Sequence, residues 1–237
     1  MKYKRIAIDT SKHVFTLHGV DEQERPVLRR ELRRGQVEAF FGKQDATEVV
    51  LEACGGSHHW GRLFSRLGHR VRLIPAQYVK PFVKRAKNDR NDAEAISEAA
   101  LHKTNPVSQL LAEIPGIGPL GAITMALTVE PRNFASARHF AAWLGLTPKE
   151  HSTGGKQRMG KISKAGNERL RQLLFVGAMS VIRFARPGSK SASAWLLQLL
   201  ERKPRKLAAV ALANKMARII WAMMSRGEAY RRQPLTA

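Results

Sequence analysis

The sequence is short of cysteine, of acid and of long apolar runs. Its single cysteine, Cys54, rules out an internal disulfide and excludes a cysteine-rich zinc site, and it fits a reducing cytoplasm. The eight histidines do not restore a metal finger: His58 and His59 are adjacent and the rest lack ligand spacing, so no catalytic zinc is expected. No uninterrupted apolar run is long enough to cross a bilayer. The best stretch, Leu207 to Met224, is broken by Asn214, Lys215 and Arg218, which makes it a basic amphipathic helix and gives no reason to expect a membrane partner. The first residues lead into a short apolar strand rather than the apolar core of a signal peptide, so a cytoplasmic location is expected. Acid is scarce too. The 237 residues hold 19 Asp plus Glu against 41 Lys plus Arg, a net charge of +22, and a surface of that kind attracts polyanions, of which nucleic acid is the commonest. Residues 1–105 carry 20 basic and 13 acidic side chains, net +7, whereas residues 106–237 carry 21 and 6, net +15.

Against that background four acids stand out. Asp9 closes the apolar run from Arg5, and Glu52 closes a second run from Glu48, so both emerge at strand ends. Asp89 and Asp92 follow in Lys87-Asn-Asp-Arg-Asn-Asp-Ala-Glu-Ala-Ile96, where a spacing of three puts both on one helical face. Carboxylates brought together repel one another, and a divalent cation with a preference for oxygen relieves them; Mg²⁺ leaves positions open for phosphate and water. Each acid also has a plainer reading. Asp9 fits a turn former or cap, Asp89 the N-cap of the helix through Ile96, and Asp92 a favourable charge near that helix's start. Glu52, before Ala-Cys-Gly-Gly, gains no cap and faces the rim of a sheet, where ligands bind in open α/β folds.

The pattern of runs predicts two domains, 1–105 and 106–237. In the first, strands at Lys4–Asp9, Val14–Val20 and Val27–Leu32 precede a helix, a strand at Glu48–Glu52, another helix and a strand at Val71–Pro75. Three strands, helix, strand, helix, strand is the order of a ribonuclease-H-like α/β core, in which the first and fourth strands lie side by side and would bring Asp9 to Glu52. The second domain reads as all-α. Ile114-Pro-Gly-Ile-Gly-Pro119 resembles a helix-hairpin-helix turn, with Gly116 and Gly118 letting the backbone approach a phosphate; a loop that is glycine-rich for packing is the alternative. A helix is expected over Phe134–Leu146. The stretch from Lys149 to Asn167 reads as a flexible basic segment, with Lys156, Arg158, Lys161 and Lys164 placed to hold a nucleic-acid backbone. Trp195 and Trp221 fall in apolar helical registers and are assigned to the core.

Taken in order, Asp9-Thr-Ser-Lys12, Glu52-Ala-Cys-Gly55, Asn88-Asp-Arg-Asn-Asp-Ala93, Ile114-Pro-Gly-Ile-Gly118, Ala141-Ala-Trp-Leu-Gly-Leu-Thr-Pro148, His151-Ser-Thr-Gly-Gly-Lys156 and Ile162-Ser-Lys-Ala-Gly166 resemble the signatures of DEDD transposases, the RuvC-like recombinases of the insertion sequence one-ten group. The resemblance covers nearly all of the chain. It implies a RuvC-like domain holding two Mg²⁺ ions on Asp9, Glu52, Asp89 and Asp92, and a helical transposase domain that supplies a serine nucleophile. It further implies donor and target DNA, a structured non-coding RNA (the bridge RNA) and subunits that assemble on nucleic acid, in the nucleoid of a bacterium or archaeon. The nucleophile is Ser152 by chemistry, a primary hydroxyl being less hindered, or Thr153 by its distance from Pro148. The chain departs from the family pattern between Ala100 and Leu110, where a long inter-domain coiled coil is missing. A metal-dependent nuclease or junction resolvase using water, and a non-catalytic nucleic-acid-binding remnant, are the alternative readings.

Overall fold

The structure is a computed structural model describing residues 2–83, 89–150, 159–189 and 193–231, the side chains of residues 89, 90 and 159 excepted. Two compact units divide at Thr104 and Asn105. The reason is local: Asn105 precedes a proline, which disfavours the helical conformation, and it sits in the extended region (φ −94°, ψ 108°). Its side chain then accepts from Ser108 N at 2.8 Å, capping the next helix with Pro106 in its first turn.

The first unit is a mixed five-stranded sheet with helices. Strands β1 (Arg5–Thr10), β2 (Val14–Val20) and β3 (Pro26–Arg33) form an antiparallel meander. Helix α1 (Val37–Phe41), strand β4 (Glu48–Ala53), helix α2 (Ser57–Arg66), strand β5 (Arg70–Pro75) and helices α3 (Ala76–Val79) and α4 (Asp89–Thr104) follow. The strand order is β3-β2-β1-β4-β5, with β4 parallel to both β1 and β5. One face of the sheet buries Ile6, Ile8, Val49 and Leu51 against Phe41 of α1 and Trp60 and Phe64 of α2. The first and fourth strands are thus neighbours, as their order in the sequence leads one to expect.

The second unit contains α5 (Pro106–Leu111), α6 (Pro119–Thr128), α7 (Ala137–Trp143), α8 (Glu168–Phe184), α9 (Ala194–Arg202) and α10 (Arg205–Arg226) around one apolar core. It is not all-α, nor is the basic segment irregular throughout. Strands β6 (Pro148–Glu150) and β7 (Met159–Ile162) pair antiparallel, so part of the stretch expected to be loop is a hairpin. The helix expected over Phe134–Leu146 is shorter at both ends. Ser136 accepts from His139 N and starts it late, while Gly145, at φ +69°, ends it early. Helix α10 is, among the described residues, the one helix long and apolar enough to cross a membrane by length and composition. It owes that composition to a core face, Ala209, Ala213, Met216, Ala217 and Ile220, packed inside the unit.

Candidate active site and basic surface

In the first unit, strand alternation decides where the acids point. Along β1, Ile6 and Ile8 turn to the α1–α2 side, so Arg5, Ala7 and Asp9 turn to the other, where Arg5 Nε donates to Ser97 Oγ of α4 at 3.3 Å. The parallel register sets Arg5 beside Glu48 and Ile8 beside Leu51. One residue further along the two strands come Asp9 and Glu52, on the α4 side and at the same end of the sheet. Asp92 projects from α4, and its charge reaches Glu52: burial first, and then Asp92, holds the Glu52 carboxyl above the usual carboxylate range. Asp9, Glu52 and Asp92 are all half-buried.

Among the described residues, no three His, Cys, Asp or Glu side chains form a group that could hold a metal ion. Glu52 and Asp92 interact electrostatically, and Asp9 stands on the adjoining strand. The backbone of Asp89 opens α4 three residues before Asp92, and its side chain lies outside the described residues. Two half-buried carboxylates that repel each other and offer only oxygen suit a hard divalent cation, whose charge removes the repulsion. Two carboxylates alone do not make a complete protein site, and Mg²⁺ held by so few would take its other ligands from water or phosphate.

What holds α4 in place was not visible as a site in the sequence. Arg5, almost fully buried, pairs with Glu24 and lies 3.8 Å from Glu48, while Arg72 pairs with Glu48 and donates to Ala100 O of α4 at 3.2 Å. This network ties β1, β4, β5, the β2–β3 turn and α4 together. An arginine opening an otherwise apolar strand was the available signal.

In the second unit the glycines have packing duties. Gly116, at φ +89°, lies against Gly177 of α8: a Cβ on Gly177 would sit 2.0 Å from Gly116 O, and one on Gly116 would sit 2.7 Å from Gly177 O. The space beside Gly118 is open. Of the two glycines assigned to phosphate, Gly116 is thus already required for helix packing. Gly166, at φ +68°, abuts Trp143 O, where a Cβ would come within 1.7 Å, and Arg171 Nη1 donates to both Leu144 O (3.1 Å) and Ala165 O (2.8 Å). The segments around Ala141–Pro148 and Ile162–Gly166 are therefore locked together. Lys161 and Lys164 are exposed on this scaffold. Ser152, Thr153, Lys156 and Arg158 lie outside the described residues.

The tryptophans divide. Trp221 packs against the core and donates from Nε1 to Pro131 O at 3.1 Å, as a core assignment requires. Trp195 does not belong to the core. It is 36% exposed, and Lys215 Nζ lies 4.6 Å from its ring centroid. An apolar helical register marked it as buried, but the neighbouring surface offers a cation rather than an apolar lid.

A sheet with carboxylates at one end, and a separate helical unit with a large excess of cations, make up a two-part protein of the kind that works on nucleic acid. Comparison with known proteins gives the class a name. Residues 108–193 match the family described as Transposase IS116/IS110/IS902 family. A Sinorhizobium fredii protein named as a transposase is 40% identical, over 96% of this chain and 85% of its own length. The Coxiella burnetii transposase for insertion sequence element IS1111A is 30% identical over 96% and 91% of the two chains, and a Moraxella bovis pilin gene-inverting protein is 29% identical over 51% and 37%. The chain belongs to the IS116/IS110/IS902 family of transposases. The alignment to the S. fredii protein runs over 330 positions in a chain of 237 residues, so roughly a hundred positions have no counterpart here.

Proposed function

We propose that this chain is a DNA recombinase that exchanges strands by phosphoryl transfer, with Asp9, Glu52, Asp89 and Asp92 as the metal-holding acids and Ser152, or Thr153, as the nucleophile. The first unit is read as a RuvC-like, ribonuclease-H-like core, a reading supported by the β3-β2-β1-β4-β5 order with β4 parallel to β1. The observation that carries the proposal is the placement of Glu52, within electrostatic reach of Asp92, on the face and end of the sheet where Asp9 also lies, in a chain of a transposase family. When bound there, Mg²⁺ supplies activation of the attacking hydroxyl and neutralisation of the leaving oxygen. The protein's own groups do the rest. The hydroxyl oxygen forms a bond to a DNA phosphorus as the bond from phosphorus to a sugar oxygen breaks; the hydroxyl proton is given up and the leaving oxygen takes one. A free sugar hydroxyl then attacks the partner strand's adduct and releases the side chain, so one phosphodiester replaces another with little net energy change. A structured non-coding RNA guides the choice of DNA, and subunits pair on nucleic acid.

The test is to trap the protein–DNA adduct on a DNA junction with Mg²⁺ and the RNA encoded beside the gene. Ser152→Ala abolishes the adduct, and Asp9→Asn abolishes both adduct and cleavage. If Thr153→Ala rather than Ser152→Ala removes it, the nucleophile moves by one residue. If the double substitution cuts at the wild-type rate, water is the attacker and the recombinase reading is lost.

A further inference from the structure

The second unit contains a groove of about 1270 Å³ that the chemistry above does not use. Its floor comes from α10. Leu207, Ala211, Asn214, Arg218 and Ala222 recur at intervals of three and four along that helix, on the side away from the core residues Ala209, Ala213 and Ile220. Pro148, Lys161, Ile162 and Lys164 from the β6–β7 hairpin region form one wall, and Trp195 of α9 stands on another. Among the described residues lining it there are five cations, Lys161, Lys164, Lys206, Lys215 and Arg218, and no acid. Lys215 is crowded enough that burial, and then Arg218, pushes its ammonium below the usual lysine range. An anion entering the groove would relieve that crowding.

Charge alone would suit any polyanion, but the groove is also apolar. A duplex presents phosphates on its outside and would leave Leu207, Val210 and Ile219 facing water. An unpaired nucleotide offers both halves of the match, a flat apolar base and a phosphate beside it. We propose that this groove binds an unpaired nucleotide of single-stranded nucleic acid, its base stacked on Trp195 and its phosphate held by Lys215 and Arg218. Lys215 Nζ lies beside the ring, 4.6 Å from its centroid. The phosphate draws the ammonium away and the base takes its place, exchanging a partly exposed cation–π contact for an ion pair plus a stack. Asn214 Nδ2 donates to Leu146 O at 3.3 Å, which ties that side chain of α10 to the scaffold. The inference rests on the nucleic-acid reading of the second unit and assigns that unit a class of ligand.

The experiment is fluorescence anisotropy of the full chain with labelled oligo-dT, oligo-U and a short blunt duplex, comparing wild type with Trp195→Leu, Trp195→Phe and the pair Lys215→Ala, Arg218→Ala. Leucine keeps an apolar side chain at a position that is only partly buried, so the fold survives, and thermal melting checks that it does. Trp195→Leu weakens oligo-dT and oligo-U by about tenfold or more, Trp195→Phe restores most of the loss, and duplex affinity changes by less than about twofold because phosphate contacts dominate it. A preference for oligo-U or for oligo-dT identifies the strand as RNA or DNA. Single-strand affinity unchanged in Trp195→Leu, or duplex affinity lost in parallel, overturns the groove assignment while the recombinase reading stands. A wild-type chain that binds neither single strand nor duplex overturns both.

Discussion

The two units of this protein differ in what their charge is built around. In the first, two arginines are drawn into the scaffold while most of the other cations are exposed: Arg5 is buried between Glu24 and Glu48, and Arg72 reaches Glu48 from the next strand. Its remaining acids of interest, Asp9, Glu52 and Asp92, are left near one another at one end of the sheet. In the second, acids are few, and lysines and arginines face a groove and a hairpin. Charge paired internally holds a scaffold together. Charge turned outward selects a polyanion. A recombinase needs both, a rigid acidic site for chemistry and a cationic surface for its strands.

The comparison can be broken or sharpened in several ways, taken here from the largest effect to the smallest. If outward charge governs binding, affinity for duplex or structured RNA falls roughly 10³-fold or more between 50 and 200 mM salt, as when about six or more phosphates are neutralised; a nearly flat dependence in a filter-binding titration would contradict it. If inward charge is structural, Arg5→Ala leaves Glu24 to Lys4 and Glu48 to Arg72, removes the one buried cation between them, and lowers stability by about 2–3 kcal/mol in urea unfolding. A loss under about 1 kcal/mol would mean the network is dispensable. The lock in the second unit is tested by Gly166→Ala, whose Cβ meets Trp143 O, against Gly188→Ala, whose φ of +79° is similar but whose surroundings are open. The first costs about 2 kcal/mol or more and the second about 1 kcal/mol; equal losses would leave backbone strain as the whole effect.

The smallest effect concerns the acids themselves. Glu52's folded-state pKa lies above its ordinary value, so its ionised form opposes folding above that pKa, and the opposition is relieved as pH falls and the group protonates. Asp92→Asn removes the second cause and leaves burial, the larger one. In metal-free buffer near neutral pH the variant is more stable than wild type by no more than about 0.5 kcal/mol, given the exposure of both groups to solvent, and its gain on acidification is smaller than wild type's. A variant less stable than wild type would show that Asp92 supports the fold rather than straining it.

Much of the first unit was legible because its strands are short apolar runs with clear punctuation, and because β1 and β4 carry acids one residue before their ends, Asp9 and Glu52, that the register brings to the same place. The second unit was less so. Short helices and a hairpin there are set by single residues, Asn105, Ser136, Gly145 and Gly166, whose turns follow no hydrophobic period. Trp195 was misplaced for a related reason: a 3.6-residue pattern shows that a side chain shares the apolar face of its own helix, not whether another helix covers that face. The Arg5 network escaped notice because buried ion pairs join residues distant in sequence, and nothing local marks Glu48 as a partner of both Arg5 and Arg72.

The division of labour is tested most directly by measuring strand cleavage and nucleic-acid affinity side by side for Glu52→Gln, in Mg²⁺ with the RNA encoded beside the gene, the guide proposed above, present. Glutamine keeps the size and removes the charge. Cleavage more than about 10²-fold slower, with affinity within about threefold of wild type because phosphate contacts come from the cationic unit, is the predicted result; cleavage at the wild-type rate would contradict the account.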